Sequence, residues 1–208
     1  MDKTSQMLAG ILLQTGAVSI NAKEPFVYTS GIKSPIYTDN RILLSFPQQR
    51  RTVVNLLTQR ILENNALDQF DLVAGVATAG ISWAALLAEQ LDKPMIYIRQ
   101  ATKGHGKEQQ IEGILEKGHR AIVVEDLIST GGSLIEAAEV VRDLGGSVPE
   151  CIALFTYELP QAAADFEKTN LSFQTLSRIS DLLKVAIDDN IISQEDRTAV
   201  DEWLMTRK

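Results

Sequence analysis

Two adjacent carboxylates, followed by hydroxyls and glycines, form the stretch of this sequence that is best equipped for chemistry. The residues read Val-Val-Glu-Asp-Leu-Ile-Ser-Thr-Gly-Gly-Ser from Val123 to Ser133. A strand-length run at 120–124, apolar after Arg120, leads into the two acids, Glu125 and Asp126, and helical spacing starts at Ser133. The sequence therefore predicts a buried strand that ends in two acids and passes through a short polar loop into a helix.

This arrangement suits a phosphorylated sugar. Ligands of open α/β sheets bind at the carboxyl ends of the strands. Glycines let the backbone approach a ligand closely, and free N–H groups at a helix start attract phosphate. Carboxylates repel phosphate, so the acids fit the hydroxyls of a sugar or a metal that the ligand carries. The alternative is an ordinary strand-to-helix turn with solvated acids. The stretch is neither a G-x-G-x-x-G dinucleotide motif nor a Walker loop.

The same stretch resembles the phosphoribosyl pyrophosphate (PRPP) motif of type I phosphoribosyltransferases. That motif is an apolar strand, two acids, a hydroxyl-rich loop and a pair of small residues that includes glycine. The resemblance implies that PRPP is bound by nine consecutive residues: Glu125, Asp126, Leu127, Ile128, Ser129, Thr130, Gly131, Gly132 and Ser133. It also implies that the Ser129 hydroxyl meets the base, and that a small N-terminal hood covers that base.

A second segment places three cations and one histidine on a glycine-containing loop. The loop runs from Arg99 through Lys103 and His105 to Lys107, ahead of the acid Glu108. It is a basic island in an acidic chain, and its glycines favour mobility. Such a loop beside a phosphate site is suited to close over a pyrophosphate leaving group. An ordinary solvated surface loop is the other interpretation.

The resemblance assigns Arg99, Lys103 and His105 to both catalysis and PRPP binding, because they fall on positions of the family's catalytic loop. This loop and the segment 28–35, Tyr-Thr-Ser-Gly-Ile-Lys-Ser-Pro, are similar to the orotate-specific members of the family. Such an enzyme transfers the phosphoribosyl group of PRPP to orotate, a step toward UMP in pyrimidine biosynthesis. The resemblance further implies Mg²⁺ that is bound with PRPP, no metal ligands of the protein's own, and a homodimer with shared active sites.

The sequence departs from the family pattern at four positions. Many members carry a basic residue where Gln100 stands, and a lysine where Ala79 stands in the turn 75–80. A lysine near Thr29 and an arginine near Tyr157 are also replaced. The contacts of the base are therefore left open. The turn 75–80 could face a diphosphate with its backbone N–H groups, or serve close packing alone.

Composition limits the class of protein. The chain has 208 residues, of which 45% are hydrophobic and 23% charged, as in a globular protein of one domain. The net charge of −7 argues against nonspecific binding of nucleic acid, which needs a basic surface. The single cysteine, Cys151, excludes an internal disulfide and favours a reducing compartment. Without a signal pattern in residues 1–10 or a membrane-length apolar run, a cytoplasmic protein without a membrane partner is predicted.

Helical and strand-length patterns alternate along the chain and predict the frame around these segments. Helical spacing is expected at 3–14, 47–63, 81–91, 133–144, 162–168, 179–187 and 194–205, and apolar strands at 71–76, 94–98, 120–124 and 147–156. This alternation favours an α/β fold with a mostly parallel central sheet flanked by helices. Residues 17–41 divide into short strands and turns, Gly16 ends the first helix, and Leu171 with Phe173 predict an edge strand.

We expect a single phosphoribosyltransferase domain over residues 1–208. Its parts are an N-terminal helix and hood at 1–45, a PRPP-binding core at 47–156 and a mostly helical C-terminal part at 157–208. Two other functions stay open on the sequence alone. A phosphoribosyltransferase for a purine or uracil would share the PRPP loop, and a PRPP-sensing regulator would share the fold.

Overall fold

The computed structural model describes residues 2–27, 31, 33–64, 67–100 and 110–207. The chain begins with helix α1 (Lys3–Thr15), and Gly16 ends this helix with a φ of 73°, as its position predicts. Two small antiparallel sheets follow, which pair β1 (Val18–Ile20) with β4 (Ile36–Thr38) and β2 (Phe26–Val27) with β3 (Lys33–Ser34). A 3-10 helix (Asn40–Ser45), which the sequence pattern does not predict, leads into the rest of the chain.

The remaining elements alternate between helices and strands. In chain order they are α2 (Pro47–Asn64), β5 (Leu72–Val76), α3 (Ala79–Leu91), β6 (Met95–Ile98), β7 (Ile111–Glu112), β8 (Arg120–Ile128), α4 (Gly132–Asp143), β9 (Ser147–Thr156), α5 (Pro160–Lys168), β10 (Phe173–Arg178), α6 (Ile179–Asp188) and α7 (Gln194–Met205). The predicted bounds of β9 and α7 are confirmed. The other predicted helices differ from the structure by one or two residues at an end.

Strands β5 to β10 form a six-stranded sheet in the order β10-β9-β8-β5-β6-β7. All pairs from β10 across to β6 are parallel, and β7 pairs antiparallel with β6. The expected α/β fold with a mostly parallel sheet is confirmed, as is an edge strand at Phe173. Successive side chains of β8 point to opposite faces of the sheet, so that Ile122 packs in one hydrophobic core and Val123 in the other. Both faces of the sheet are therefore covered, which explains the continuous apolar runs of the sequence.

Strand β8 is longer than its apolar run. The prediction of a strand at 120–124 that ends at the acids is wrong, because β8 continues through Glu125 and Asp126 to Ile128. Strand β9 supplies the hydrogen-bonding partner over this extension, whereas the pairing of β8 with β5 stops at Val124. The acids therefore lie on a strand that is paired on one flank and has passed the end of its neighbour on the other.

Candidate functional site

The acid pair lies where β8 meets the first turn of α3. The Glu125 carboxylate accepts hydrogen bonds from the backbone N–H of Asp126, at 2.9 Å, and from that of Gly80. A Cβ atom on Gly80 would overlap the carbonyl oxygen of Val124, so the close approach of α3 to β8 requires glycine. Glu125 is 8% exposed and Asp126 is half-buried. The fold thus holds both carboxylates at the carboxyl edge of the sheet.

Burial alters the ionisation of both acids. Removal from water raises the pKa of the Glu125 carboxyl to about 8, and the neighbouring Asp126 charge acts in the same direction. Burial also raises the pKa of Asp126, which the nearby Arg41 guanidinium opposes. Both shifts favour the protonated forms, so the pair carries less negative charge than two solvated carboxylates would.

The loop after β8 and the first residues of α4, at 129–133, form an anion-binding segment that we call the cradle. Gly131 precedes α4 with a φ of 84°, and no side chain among the described residues caps this helix. A Cβ atom on Gly131 would also lie 2.7 Å from Cε2 of Phe166, so both the backbone and the packing require glycine. The uncapped N–H groups of α4 and the exposed Ser129, Thr130 and Ser133 are suited to a phosphate group.

Two residues of the predicted PRPP stretch have apolar side chains that face the interior. Ile128 is fully buried in one core, and Leu127 packs against the other. The Ile128 carbonyl already accepts a hydrogen bond of 3.1 Å from the Tyr157 amide. Any contact of Ile128 with a ligand is therefore limited to its backbone, whereas the Leu127 side chain stays partly exposed.

The resemblance assigns Arg99, Lys103 and His105 to the catalytic loop, and the structure describes Arg99. Its guanidinium donates a hydrogen bond of 2.7 Å to Glu112, in an ion pair that is about half exposed on both sides. Arg99 and Ser133 line the same narrow cleft, so the start of the basic loop reaches the first turn of α4. Lys103 and His105 lie outside the described residues.

The small-residue turn between β5 and α3 faces the same edge of the sheet. The Ala77 amide donates a hydrogen bond of 2.8 Å to the Ile98 carbonyl, and the peptide bond between Ala77 and Thr78 is cis. A Cβ atom on Gly75 would lie 2.9 Å from that of Ala84. Close packing therefore accounts for Gly75.

The 3-10 helix ties the hood to the acids, and sequence reasoning did not single it out. The buried Asn40 side chain donates a hydrogen bond of 2.7 Å from Nδ2 to the backbone carbonyl of Asp126. Asp39 holds Arg41 through two hydrogen bonds, from Nε at 2.7 Å and from Nη2 at 2.8 Å. The available signal was the run of an acid, an amide and a cation that begins two residues after the aromatic Tyr37.

The C-terminal part closes the other side of the hood. Trp203 donates a hydrogen bond of 2.9 Å from Nε1 to the Lys33 carbonyl on β3. Its ring meets Tyr157 edge to face, with centroids 6.4 Å apart, and Tyr157 meets Phe155 in the same way at 6.0 Å. Tyr157, the position near which the resemblance implies an arginine, is thus a buried ring. Half of the segment that carries the orotate resemblance, at 28–30 and 32, lies outside the described residues.

Two further properties concern the described part of the chain. It contains no group of three or more potential metal-ligating side chains arranged to hold an ion. None of its helices combines the length and the apolar character that a bilayer crossing requires.

Comparison with known proteins places this arrangement in a class. The phosphoribosyl transferase domain family matches residues 47–180, from the start of α2 into α6. The fold and the acid–loop–helix site therefore define a phosphoribosyl transferase. An orotate phosphoribosyltransferase from Coxiella burnetii is 46% identical over 196 residues, which are 94% of this chain and 93% of that protein. The chain belongs to the orotate phosphoribosyltransferase family, enzymes of pyrimidine biosynthesis.

Solved structures show the same architecture. The orotate phosphoribosyltransferase of Aeropyrum pernix aligns with a TM-score of 0.75 and 33% identity, over 85% of this chain and 96% of that one. The UMP synthase of Leishmania donovani aligns with a TM-score of 0.80 and 29% identity. The alignment covers 97% of this chain but 42% of the UMP synthase, so this chain corresponds to less than half of that protein.

Proposed function

We propose that the acid pair, the cradle after it and the basic loop are the site at which this enzyme transfers the phosphoribosyl group of PRPP to orotate. The products are orotidine 5′-phosphate and pyrophosphate. One observation carries this assignment: a buried and a half-buried carboxylate lie on one strand, separated by a short loop from an uncapped helix N-terminus. A ribose 5-phosphate presents hydroxyls at one end and phosphate at the other, which is the same order of groups.

The PRPP contacts follow from the chemistry of each group. Asp126 accepts hydrogen bonds from the ribose hydroxyls, and Glu125 accepts or donates according to its proton. The residues from Ser129 to Ser133 surround the 5-phosphate with hydroxyls and backbone N–H groups. The Ser129 hydroxyl also reaches toward the base.

Leaving-group stabilisation falls to Arg99, Lys103 and His105. As the bond from C1′ to the pyrophosphate oxygen breaks, the ribose gains oxocarbenium character and negative charge moves onto pyrophosphate. Orotate supplies the electron pair from N1 and its N1 proton passes to water, because this imide-like N–H is acidic enough that a strong protein base is not needed. Positioning and electrostatic stabilisation then provide most of the rate enhancement. The exposed ion pair of Arg99 with Glu112 exchanges readily for a phosphate, because such pairs contribute little stability.

Mg²⁺ is the cation expected to arrive with PRPP. The site presents carboxylate and hydroxyl oxygens, which are ligands of the type that Mg²⁺ accepts. These residues fit an ion that is bound mainly by the diphosphate and retains several waters. When bound, Mg²⁺ supplies neutralisation of the diphosphate charge.

The proposed unit of function is one domain over residues 1–208, with the hood at 1–45, the PRPP core at 47–156 and the C-terminal part at 157–208. The hydrogen bonds from Asn40 to Asp126 and from Trp203 to Lys33 support this unit, since they join all three parts. We further propose a cytoplasmic homodimer with shared active sites. The buried free thiol of Cys151 supports the reducing compartment, and the family resemblance supports the dimer.

A steady-state assay tests the proposed function. Purified protein is given PRPP, Mg²⁺ and, separately, orotate, uracil, hypoxanthine or adenine, and nucleotide and pyrophosphate are measured. We expect efficient turnover of orotate alone, and its loss when EDTA removes Mg²⁺. Better turnover of another base would overturn the assignment of the base. Tight PRPP binding without any nucleotide product would indicate a PRPP-sensing regulator instead.

A further inference from the structure

A single cation is brought to the acid pair by the hood, within the residues that the structure describes. Arg41 follows directly after Asn40, whose side chain is anchored on the backbone of Asp126. Its guanidinium is held by the mostly buried carboxylate of Asp39, while its own side chain is 65% exposed. The position of Arg41 is therefore set from two sides, although the charged group stays accessible.

The charge of the Arg41 guanidinium also acts on groups other than its ion-pair partner. Besides Asp39, its charge interacts with Asp126 on β8 and with the Tyr37 hydroxyl on β4. Arg41 thus lies on the part of the hood that is anchored to the acid pair through Asn40. This is the boundary at which a base would meet the ribose.

Arg41 has hydrogen-bond donors to spare. A guanidinium carries five N–H donors, and the Asp39 carboxylate accepts from Nε and Nη2. Both N–H groups of Nη1 and the second of Nη2 remain on the side away from Asp39. An arginine that is already fixed by one carboxylate can bind a second one with little loss of side-chain entropy.

The chemistry of orotate supplies that second carboxylate. Its carboxylate is attached to the carbon next to N1, the nitrogen that bonds to C1′ of ribose. When the ribose hydroxyls lie on Glu125 and Asp126, the carboxylate of the base therefore lies close to the ribose, on the hood side. The acid pair repels it, so a cation is required there. Tyr157, a buried and uncharged ring of the C-terminal part, does not supply one.

We propose that Arg41 binds the carboxylate of orotate and thereby makes the site select orotate over uracil. This inference rests on the proposed function. Asp39 is a positioning residue in this arrangement, because it orients the guanidinium without touching the substrate. Asn40 holds the same turn against β8.

The product pair orotidine 5′-phosphate and uridine 5′-phosphate provides the test, because the two nucleotides differ only in this carboxylate. Calorimetry measures the Kd of each for the wild type and for Arg41→Ala. We expect Arg41→Ala to weaken orotidine 5′-phosphate binding by about 10- to 100-fold, the range for a charged hydrogen-bonded pair. Uridine 5′-phosphate affinity should change by less than about twofold, and Arg41→Lys should recover part of the loss.

Two further variants distinguish a direct contact of Arg41 with the carboxylate from the general effect of removing a surface charge. Arg197→Ala removes another surface arginine that pairs with an aspartate, Asp201, and should leave both affinities unchanged. Asp39→Asn keeps an oxygen to cap the 3-10 helix but removes the ion pair, and should weaken orotidine 5′-phosphate by a smaller factor than Arg41→Ala does.

Equal weakening of both nucleotides by Arg41→Ala, or no change in either, would overturn the proposal. The wild-type assay with orotate is run in parallel. If the wild type converts orotate while Arg41→Ala keeps its full discrimination, the role of Arg41 fails and the proposed function stands. If the wild type does not convert orotate, the proposed function fails as well.

Discussion

Asn40 in the hood and Asp126 in the acid pair are joined by a hydrogen bond of 2.7 Å, from the side-chain amide to the backbone carbonyl. The Asn40 side chain is fully buried, and its Oδ1 atom has no partner among the described residues. The extension of β8 beyond β5 leaves the Asp126 carbonyl available for this contact. The base side and the ribose side of the site are thereby held in one geometry.

Asn40→Ala should weaken the contact between the hood and the acid pair. Loss of a buried hydrogen bond and of side-chain volume should lower the free energy of unfolding by about 1–3 kcal/mol. We expect kcat/KM for orotate to fall further than the affinity for PRPP, because the hood loses its anchor while the cradle remains. Urea unfolding and steady-state kinetics measure these effects.

Asn64→Ala is the matched control, because the Asn64 side chain makes an exposed hydrogen bond at the end of α2. It should change stability by less than about 0.5 kcal/mol. Unchanged orotate kinetics in a folded Asn40→Ala variant would contradict the coupling of hood and cradle.

Asp126→Asn should weaken PRPP binding without unfolding the domain. A charged acceptor makes a hydrogen bond of roughly twice the neutral strength, so a rise of about 10-fold in the Kd for PRPP is expected. Calorimetric titration measures this affinity. Asp188→Asn, an exposed substitution on α6, serves as the control. Equal PRPP affinity in the two variants would favour an ordinary turn with solvated acids.

The stability of the protein should depend on the ionisation of Glu125. Its pKa of about 8 in the folded state lies above the ordinary value of 4.5. The folded state therefore keeps a proton that the unfolded state loses, and stability falls as the pH rises from about 4.5 through about 8. Glu125→Gln removes this dependence, so the variant should gain stability relative to the wild type between pH 5 and pH 9. Urea unfolding at several pH values measures the difference.

Glu167→Gln, on the exposed face of α5, controls for the loss of one negative charge. Its unfolding free energy should follow that of the wild type at every pH. If the Glu125→Gln and wild-type profiles also run parallel, Glu125 does not hold a proton in the folded state.

Gly131→Ala should damage the cradle. The methyl group meets the Phe166 ring and a φ of 84°, which together should cost about 2–4 kcal/mol of stability. Gly10→Ala is the control, since a Cβ atom on Gly10 in α1 meets nothing within 4 Å. It should stabilise the protein by about 0.5–1 kcal/mol. Thermal unfolding compares the two, and a neutral Gly131→Ala variant would contradict the geometry of the cradle.

Shared active sites predict complementation between two defective subunits. Lys103→Ala should lower kcat by about 10²–10³-fold, the range for deletion of one preorganised donor. Asp126→Asn damages the other side of the same composite site. Mixing the two variants under conditions of subunit exchange should then restore activity, because each heterodimer contains one site without either substitution.

A mixture of Asp126→Asn with Glu125→Gln should show no such gain, because both substitutions lie on the same side of the site. If the Lys103→Ala mixture also gains nothing while exchange is demonstrated, the basic loop serves its own subunit.

Local patterns predict the elements of this fold better than they predict its contacts. The run from Ser147 to Thr156 reads as a strand because both faces of the sheet are covered, and the structure confirms its bounds. The extension of β8 to Ile128 was missed because it depends on pairing with β9, which the composition of β8 does not reveal. Asn40 and Arg41 were missed for a related reason. Asn40 bonds to Asp126, which is remote in sequence, and Arg41 comes near the acids only because the hood packs against β8.

The bond from Trp203 to the hood also gives the protein an intrinsic optical reporter. The chain has two tryptophans, and Trp83 is fully buried within α3, away from solvent. Trp203, by contrast, is bonded through its indole nitrogen to the Lys33 carbonyl on β3. Movement of the hood would change the polarity around that indole and shift its emission, while Trp83 supplies a constant background. A displacement of β3 from α7 would therefore be detected by fluorescence in the unlabelled enzyme.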